Sequence, residues 1–480
     1  MVAGAQTDTA EGWSSRTAFV LAAVGAAVGL GNLWRFPTLA GESGGGAFVL
    51  VYVGCVILIG LPLVLSEILI GRAGRSDAVD SVRNVAKASG ISEKWQIFGW
   101  FEIIAAFFIL TFYSVVAGWV IYYIGVMLGD FLSALGAGEP LRGALAGETS
   151  EQITGRMGAL FENVPMLVAM HTLFMLITIG IVAQGVTDGI EKAAMFLMPA
   201  FFVLLVLITI YGAFTGDFGR AAEFLFTPDF SKLSAPVINE ALGQALFSMS
   251  LGSAALMTYG AYVSRDTKLG PTAGMIGFAD TGVAIIAGLM IFPIVFAAGL
   301  DPAGGPTLVF QSLPIAFQNM PAGSLIGLLF FVLIFFAALT SSISLLEGPT
   351  AWAKEAFGWS RSKTAWTVGL FIYVVGIACA LSLSIWSDVR LLPFWDIFAD
   401  QNIFDTIDGF TGKILLPTSA LLTAIFVGWR ADRKLVDTET GLEGSTLVAF
   451  RFLVAWVCPI AVGLILLFGI FPELLTAIGG

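Results

Sequence analysis

The chain is 480 residues long, 57% hydrophobic and only 12% charged, where an ordinary soluble domain carries roughly 25% charged residues. A soluble globular enzyme is excluded, because apolar runs follow one another almost end to end where about three domains with polar linkers would be needed. The net charge of −11 comes with no basic stripe, which excludes a nucleic-acid partner and leaves the bilayer as the solvent.

Runs of about 20 apolar residues cross a ~30 Å hydrocarbon layer as helices. Eleven are predicted, over residues 14–38, 46–71, 96–128, 164–184, 190–214, 236–263, 271–299, 322–355, 363–386, 408–429 and 446–476. The ~10-residue alternation of porin strands is absent, so the expected fold class is an all-α membrane protein. If residues 1–13 are a cytoplasmic segment, the inner loops carry fourteen Lys or Arg and the outer loops five. The positive-inside rule then predicts a cytoplasmic N-terminus and an external C-terminus. Residues 1–13 lack a basic start and a cleavage site, so the first span is expected to be kept.

The first span, TAFVLAAVGAAVGLGNLWRFP, gathers Gly25, Gly29 and Gly31 at mid-membrane, followed by Asn32, Arg35 and Pro37. Each glycine weakens a helix by ~1 kcal/mol relative to alanine, although close packing through small residues reads equally well here. In the second span Glu67 is an expensive intramembrane acid. Tyr113 stands in the middle of the third span, away from the interfacial belt. The outer loop 129–163 is rich in Gly and Ala, and the single His171 and the scattered Cys55, Cys379 and Cys458 offer no zinc site or histidine triad. The sixth span, GQALFSMSLGSAALMTYGAYV, places Ser248, Ser250, Gly252 and Ser253 at a depth similar to the first-span glycines. Asp280 follows in the seventh span. The loop DPAGGPTLVFQSLPIAFQNMP, residues 300–321, reads as a lid hairpin or a plain connector. Thr340, Ser341 and Ser342 lie together in the eighth span, where hydroxyls could also bond back to helix carbonyls.

Interruptions at corresponding places in two halves point to an inverted-repeat transporter. The repeats would be residues 14–214 and 236–429, with the eleventh span, 446–476, outside them. A helix broken in lipid frees N–H groups for an anion and carbonyls for a cation, as for a substrate carboxylate beside Na⁺. That is chemistry for binding without bond making, so no catalytic residues are expected.

AVGLGNLWRFP from Ala27 to Pro37, GGGAF from Gly44, PLVLSE ending at Glu67, GRAG from Gly71 and ALTSSIS from Ala338 resemble the neurotransmitter:sodium symporter family, and its bacterial amino-acid branch in particular. The resemblance runs from about Trp13 to the end. It implies a 5+5 inverted-repeat bundle of the leucine-transporter type with helices 1 and 6 unwound, plus an eleventh helix; the usual twelfth is missing. Backbone N–H groups near Leu30 and Gly31, with the Tyr113 hydroxyl, would hold the substrate carboxylate, and the Ala27 carbonyl would also touch the substrate. Gly29 stands where amine carriers place an aspartate, which favours amino acids over monoamines.

The resemblance also implies two sodium sites. Ala27, Asn32, Ser248 and Asp280 would form the first, and Gly25, Val28, Ala337, Thr340 and Ser341 the second. A chloride pocket would map onto Tyr52, Gln244, Ser248 and Ala284. With Asp280 supplying the negative charge, chloride is expected to be unnecessary, and Asp280 could accept a proton on the return step. The side-chain pocket maps onto Ile109, Phe247, Ser250, Ser253, Ser341, Ser342 and Leu345, and Ser253 in place of an aromatic implies extra volume. Arg35 and Asp408 would face each other at an outer gate above Tyr113 and Phe247. The inner gate would use Trp13, Tyr262 and Glu355, while the position of the family's N-terminal arginine is occupied by Ala10, with Arg16 nearby. The expected protein is thus a sodium-coupled importer of a neutral amino acid in the cell (inner) membrane, surrounded by lipid. A carrier of GABA, taurine or a similar small zwitterion, and a proton-coupled carrier of the same fold, remain open alternatives. A channel would need a continuous polar path, and an intramembrane enzyme a paired-acid or nucleophile motif; neither is present in the sequence.

Overall fold

The computed structural model describes residues 12–305 and 308–479, and among them it is helical with no strand. Nine unbroken helices are long and apolar enough to cross a membrane: Gly46–Gly74, Glu93–Gly136, Val164–Val182, Val186–Thr215, Leu269–Ala297, Gly323–Phe357, Arg361–Leu381, Ile403–Arg430 and Gly444–Ile470. They coincide with nine of the eleven predicted spans.

The other two spans are the first and the sixth, and both are broken. The first consists of Arg16–Ala27 and Gly31–Glu42, bent by 47°. Val28 leaves the first half with extended backbone, at ψ 108°. A Cβ on Gly29 would lie 2.5 Å from Ser341 Oγ and 3.1 Å from Tyr113 Oη, so only glycine lets the neighbouring helices approach this backbone. The sixth span divides into Ala235–Ser248 and Ala255–Ala261. Its linker turns through left-handed backbone at Ser250 (φ 54°), Gly252 (φ 76°) and Ala254 (φ 61°), a conformation that costs a residue with a Cβ roughly 1–2 kcal/mol. Interactions from surrounding helices must offset that strain.

Several boundaries differ from the sequence reading. The third span continues to Gly136, and the outer loop behind it folds into the helix Ser150–Glu162, opened by a Thr149–Gln152 capping box. The predicted eleventh span merges two helices, because Pro472 cannot continue the one that ends at Ile470 and starts a new one, Pro472–Gly479. The loop 300–321 contains the helix Leu308–Gln318. Its Phe310 is buried among the rings of Trp34, Trp119, Tyr123 and Phe331, so this segment is packed into the bundle and is more than a connector. Of the nine unbroken helices the third and eighth spans are the most enclosed, and the eleventh turns most of its surface outward.

Candidate functional site

The two breaks meet each other and the third, seventh and eighth spans in the middle of the bundle. At the first break the Gly29 N–H donates to Asn32 Oδ1 at 3.0 Å, and the Leu30 N–H donates to Tyr113 Oη at 3.3 Å. Asn32 Nδ2 donates to Ser248 Oγ at 3.0 Å and to Asp280 Oδ1 at 2.7 Å. Ser248 Oγ donates to Asp280 Oδ1 at 2.9 Å, and Tyr52 Oη donates to Asp280 Oδ2 at 3.2 Å. Gln244 Nε2 donates to the Gly31 carbonyl at 2.8 Å, and Ala284 is buried one turn beyond Asp280. Asn32, Ser248 and Asp280, expected at the first sodium site, therefore form one hydrogen-bonded cluster with Tyr52, which was expected at a chloride pocket.

A second group of oxygens lies on the other side of the break. Ser341 Oγ is 3.3 Å from each of the Gly25 and Val28 carbonyls. Thr340 Oγ1 bonds back to the Phe336 and Ala337 carbonyls at 3.0 and 3.1 Å. These are neutral, hard oxygens on unwound backbone and short hydroxyl side chains, a donor set suited to a monovalent cation that must bind and leave.

Between the two groups is a cavity of about 30 Å³, lined by Ala27, Gly29, Leu30, Gly31, Ile109, Tyr113, Phe247, Ser248, Ser250, Ser253, Ser341, Leu345 and Leu416. Every expected pocket residue lines it except Ser342. That side chain faces the fourth span instead, 3.1 Å from Thr178 Oγ1, because adjacent residues on a helix point about 100° apart. The cavity is tighter than Ser253 alone implied, since Leu416 from the tenth span shares the space. Ser250 Oγ donates to the Ala26 carbonyl at 2.7 Å, joining the two breaks, and Ser253 Oγ donates to the Ser250 carbonyl at 2.6 Å within the linker.

On the outer side lies a larger cavity of about 280 Å³, lined among others by Arg35, Phe112, Phe404 and Asp408. Leu30, Tyr113 and Phe247 line both cavities and so form the floor between them. The Arg35 guanidinium lies 4.6 Å from the centre of the Phe247 ring, and Arg35 and Asp408 attract one another across the space.

The inner side differs from the expectation in one residue. Trp13 Nε1 donates to the Tyr259 carbonyl at 3.1 Å, and its ring packs on Tyr259 and Tyr262. Tyr262 Oη, however, donates to Glu347 Oε1 at 2.7 Å, and Glu347 is fully buried and paired with Arg361 through both of its oxygens. Arg361 Nε also donates to the Val182 carbonyl at 3.0 Å. This clasp joins the fourth, sixth, eighth and ninth spans. Glu355 is not part of it: two turns further along and exposed, it accepts from the Asp77 N–H at 3.2 Å and from Ser76 Oγ. Burial, and then the Glu355 and Asp80 carboxylates, push the Asp77 carboxyl up to about 7. Ser14 bonds to Glu191 through its N–H at 3.0 Å and through its hydroxyl. Ala10 lies outside the described residues.

Glu67 Oε1 accepts from the Gly252 N–H at 2.8 Å. Glu102, Glu191, Glu347 and Arg361 were missed. Glu102 and Glu347 carried the same signal as Asp280, an ionisable residue inside an apolar run, and could have been found by it.

Comparison with known proteins gives a consistent result. The model of the sodium:neurotransmitter symporter family matches residues 10–133 and 151–471. An uncharacterised sodium-dependent transporter of Bacillus subtilis, YhdH, is 34% identical, covering 95% of this chain and 96% of its own. An uncharacterised sodium-dependent transporter of Haemophilus influenzae is also 34% identical, over 96% and 98%. Among solved structures, MhsT in complex with L-phenylalanine is 39% identical, with a TM-score of 0.85 over 96% of this chain and 99% of that one.

Proposed function

Because this chain belongs to the sodium:neurotransmitter symporter family, a family of transporters and not enzymes, we propose that it is a sodium-coupled symporter importing a neutral amino acid by alternating access. The observation that carries this reading is the junction of two broken spans, where the Leu30 N–H and Tyr113 hydroxyl lie beside the Asn32–Ser248–Asp280 cluster. The substrate carboxylate would meet those donors, and its side chain would enter the space beside Phe247, Ile109, Ser253 and Leu345. An apolar side chain is favoured by that lining and a large one by the phenylalanine held in the similar MhsT, for which the cavity of about 30 Å³ must widen.

In this reading one sodium is held by Ala27, Asn32, Ser248 and Asp280, completed by the substrate carboxylate. The other is held by Gly25, Val28, Ala337, Thr340 and Ser341. Thr340 can keep its bond to a helix carbonyl and still offer an oxygen lone pair to the ion. Asp280 already fills the pocket of Tyr52 and Ser248 with negative charge, which supports transport without chloride. Residues 14–214 and 236–429 would act as the two repeats, with the N-terminus cytoplasmic and the C-terminus external.

Two sodium ions moving with one zwitterion through ~100 mV would gain roughly 4.6 kcal/mol from voltage, equivalent to an accumulation of more than about a thousandfold. A thermal-shift screen of the twenty amino acids with and without Na⁺ tests the proposal: stabilisation by apolar members only in Na⁺ is expected. The hydroxyls of Ser250, Ser253 and Ser341 in the cavity favour a second reading, a small polar zwitterion such as GABA or taurine. That reading wins if no amino acid stabilises the protein and such a zwitterion does.

A further inference from the structure

We propose that Glu67 and Glu102 form a proton-binding pair that holds a single proton between two carboxyl groups while the sixth span is broken as seen here. Glu67 comes from the second span and Glu102 from the third, and both are fully buried. Glu67 Oε1 accepts the Gly252 N–H at 2.8 Å, while Glu102 Oε1 accepts from Thr423 Oγ1 at 3.2 Å and faces the Ala254 N–H. The remaining oxygen of each, Oε2, has no hydrogen-bond partner. The two carboxyls interact electrostatically with each other, and no Lys, Arg or His acts on either. What faces them from the packed elements is the backbone of the sixth-span linker and, from the tenth span, the Thr423 hydroxyl and the buried, unpartnered Ser419 hydroxyl beside Gly252. Asp280 is committed to Asn32, Ser248 and Tyr52 and stands apart from the pair.

Two carboxylates confined together in a dry site with no cation cannot both stay ionised. One H⁺ from water added to an Oε2 lowers the charge of the pair from −2 to −1, turns that oxygen into a donor, and gives it the other Oε2 to donate to. On release the proton returns to water. The pair accepts the Gly252 N–H and faces the Ala254 N–H, at two of the three left-handed residues of the linker. The same linker carries Ser250 and Ser253, which line the central cavity. Proton binding is therefore linked to the linker conformation, and through it to whatever binds in that cavity; by reciprocity the cavity's ligands shift the proton. The proton is argued from two buried acids that meet the same linker and each leave one oxygen unpartnered, and its coupling to transport rests on the sodium-symport reading.

Infrared difference spectroscopy on the full chain in lipid, with hydrogen–deuterium exchange, tests the pair directly. At neutral pH the wild type is expected to show a protonated-carboxyl C=O band of one group that is absent from both Glu102→Gln and Glu67→Gln. In each variant the amide supplies the donor and the surviving glutamate ionises. A band that outlasts both substitutions, or that only one of them removes, overturns the shared proton. Should Glu67→Gln fail to fold, Glu102→Gln together with Glu102→Asp, expected to restore the band, carries the same decision. As a second readout, sodium-dependent thermal stabilisation is expected to vary with pH across the neutral range in the wild type and to flatten in Glu102→Gln; an unchanged pH profile in that variant counts against the pair. Absence of any sodium effect in the wild type at every pH would instead remove the symport reading and leave the infrared result to stand by itself.

Discussion

Asp280 concentrates the chemistry of the site: its carboxylate receives the Asn32 amide, the Ser248 hydroxyl and the Tyr52 phenol inside the bundle. Hydrogen bonds to a charged group contribute about 1.5–3 kcal/mol each, so Asp280→Asn is expected to weaken sodium binding by roughly 10- to 100-fold, read as the sodium concentration needed for half-maximal thermal stabilisation. Replacing chloride by gluconate is expected to leave uptake unchanged, because the carboxylate already supplies the negative charge; uptake that collapses in gluconate would show that it does not. In the connection after the second span, Asp77 caps the helix Ala78–Ala88 and has its carboxyl pushed up to about 7 by burial and two neighbouring acids. A raised folded-state value favours the protonated form, so its contribution to stability is greatest at low pH and is lost as pH rises from about 4 towards 7. Asp77→Asn, which keeps a capping oxygen, is expected to raise the thermal midpoint at pH 8 and to raise it by clearly less at pH 5. Asn32, Tyr113 and Asp280 were legible in the sequence because a polar group in an apolar run must have a reason to be there. Which face each side chain uses was not, as Ser342 turning to Thr178 shows.

At the level of elements, the two breaks are held open by different means. In the first span glycine removes the Cβ that would collide with Ser341 and Tyr113. Gly29→Ala is therefore expected to reduce uptake by at least about tenfold, consistent with an overpacking cost of roughly 1–3 kcal/mol. In the sixth span Gly252 has φ 76°, and a Cβ there would lie 2.8 Å from the Leu416 carbonyl, so Gly252→Ala is expected to lower both stability and uptake. A glycine cluster is a visible signal, and the first break could be read from it. The left-handed turns at Ser250 and Ala254 could not, since neither residue prefers that conformation and only the tertiary bonds to Glu67 and its neighbours impose it. The same limit explains the eleventh span, where hydropathy ran through the Phe471–Pro472 boundary that backbone chemistry ends.

For the whole molecule, alternating access requires one closed end to open while the other closes. At the end expected to be the inner one, Glu347 is engaged by both Arg361 and Tyr262. Removing one partner of a buried ion pair costs about 3–5 kcal/mol. Glu347→Gln is therefore expected to favour the inward-open form, seen as faster labelling of a cysteine placed by Val263→Cys, a position buried in the form described; unchanged labelling would remove Glu347 from the gate. The number of spans and the family motifs were readable along the chain, whereas this clasp joins four spans far apart in sequence and appears only once they are packed. The central claim is that the junction of two broken helices binds an amino acid together with sodium. Uptake of labelled L-phenylalanine into proteoliposomes, with the external cation changed from sodium to choline at constant pH, tests it most directly. Accumulation that requires an inward sodium gradient and vanishes in choline is expected; equal accumulation in choline, or accumulation driven by a proton gradient alone, would contradict it.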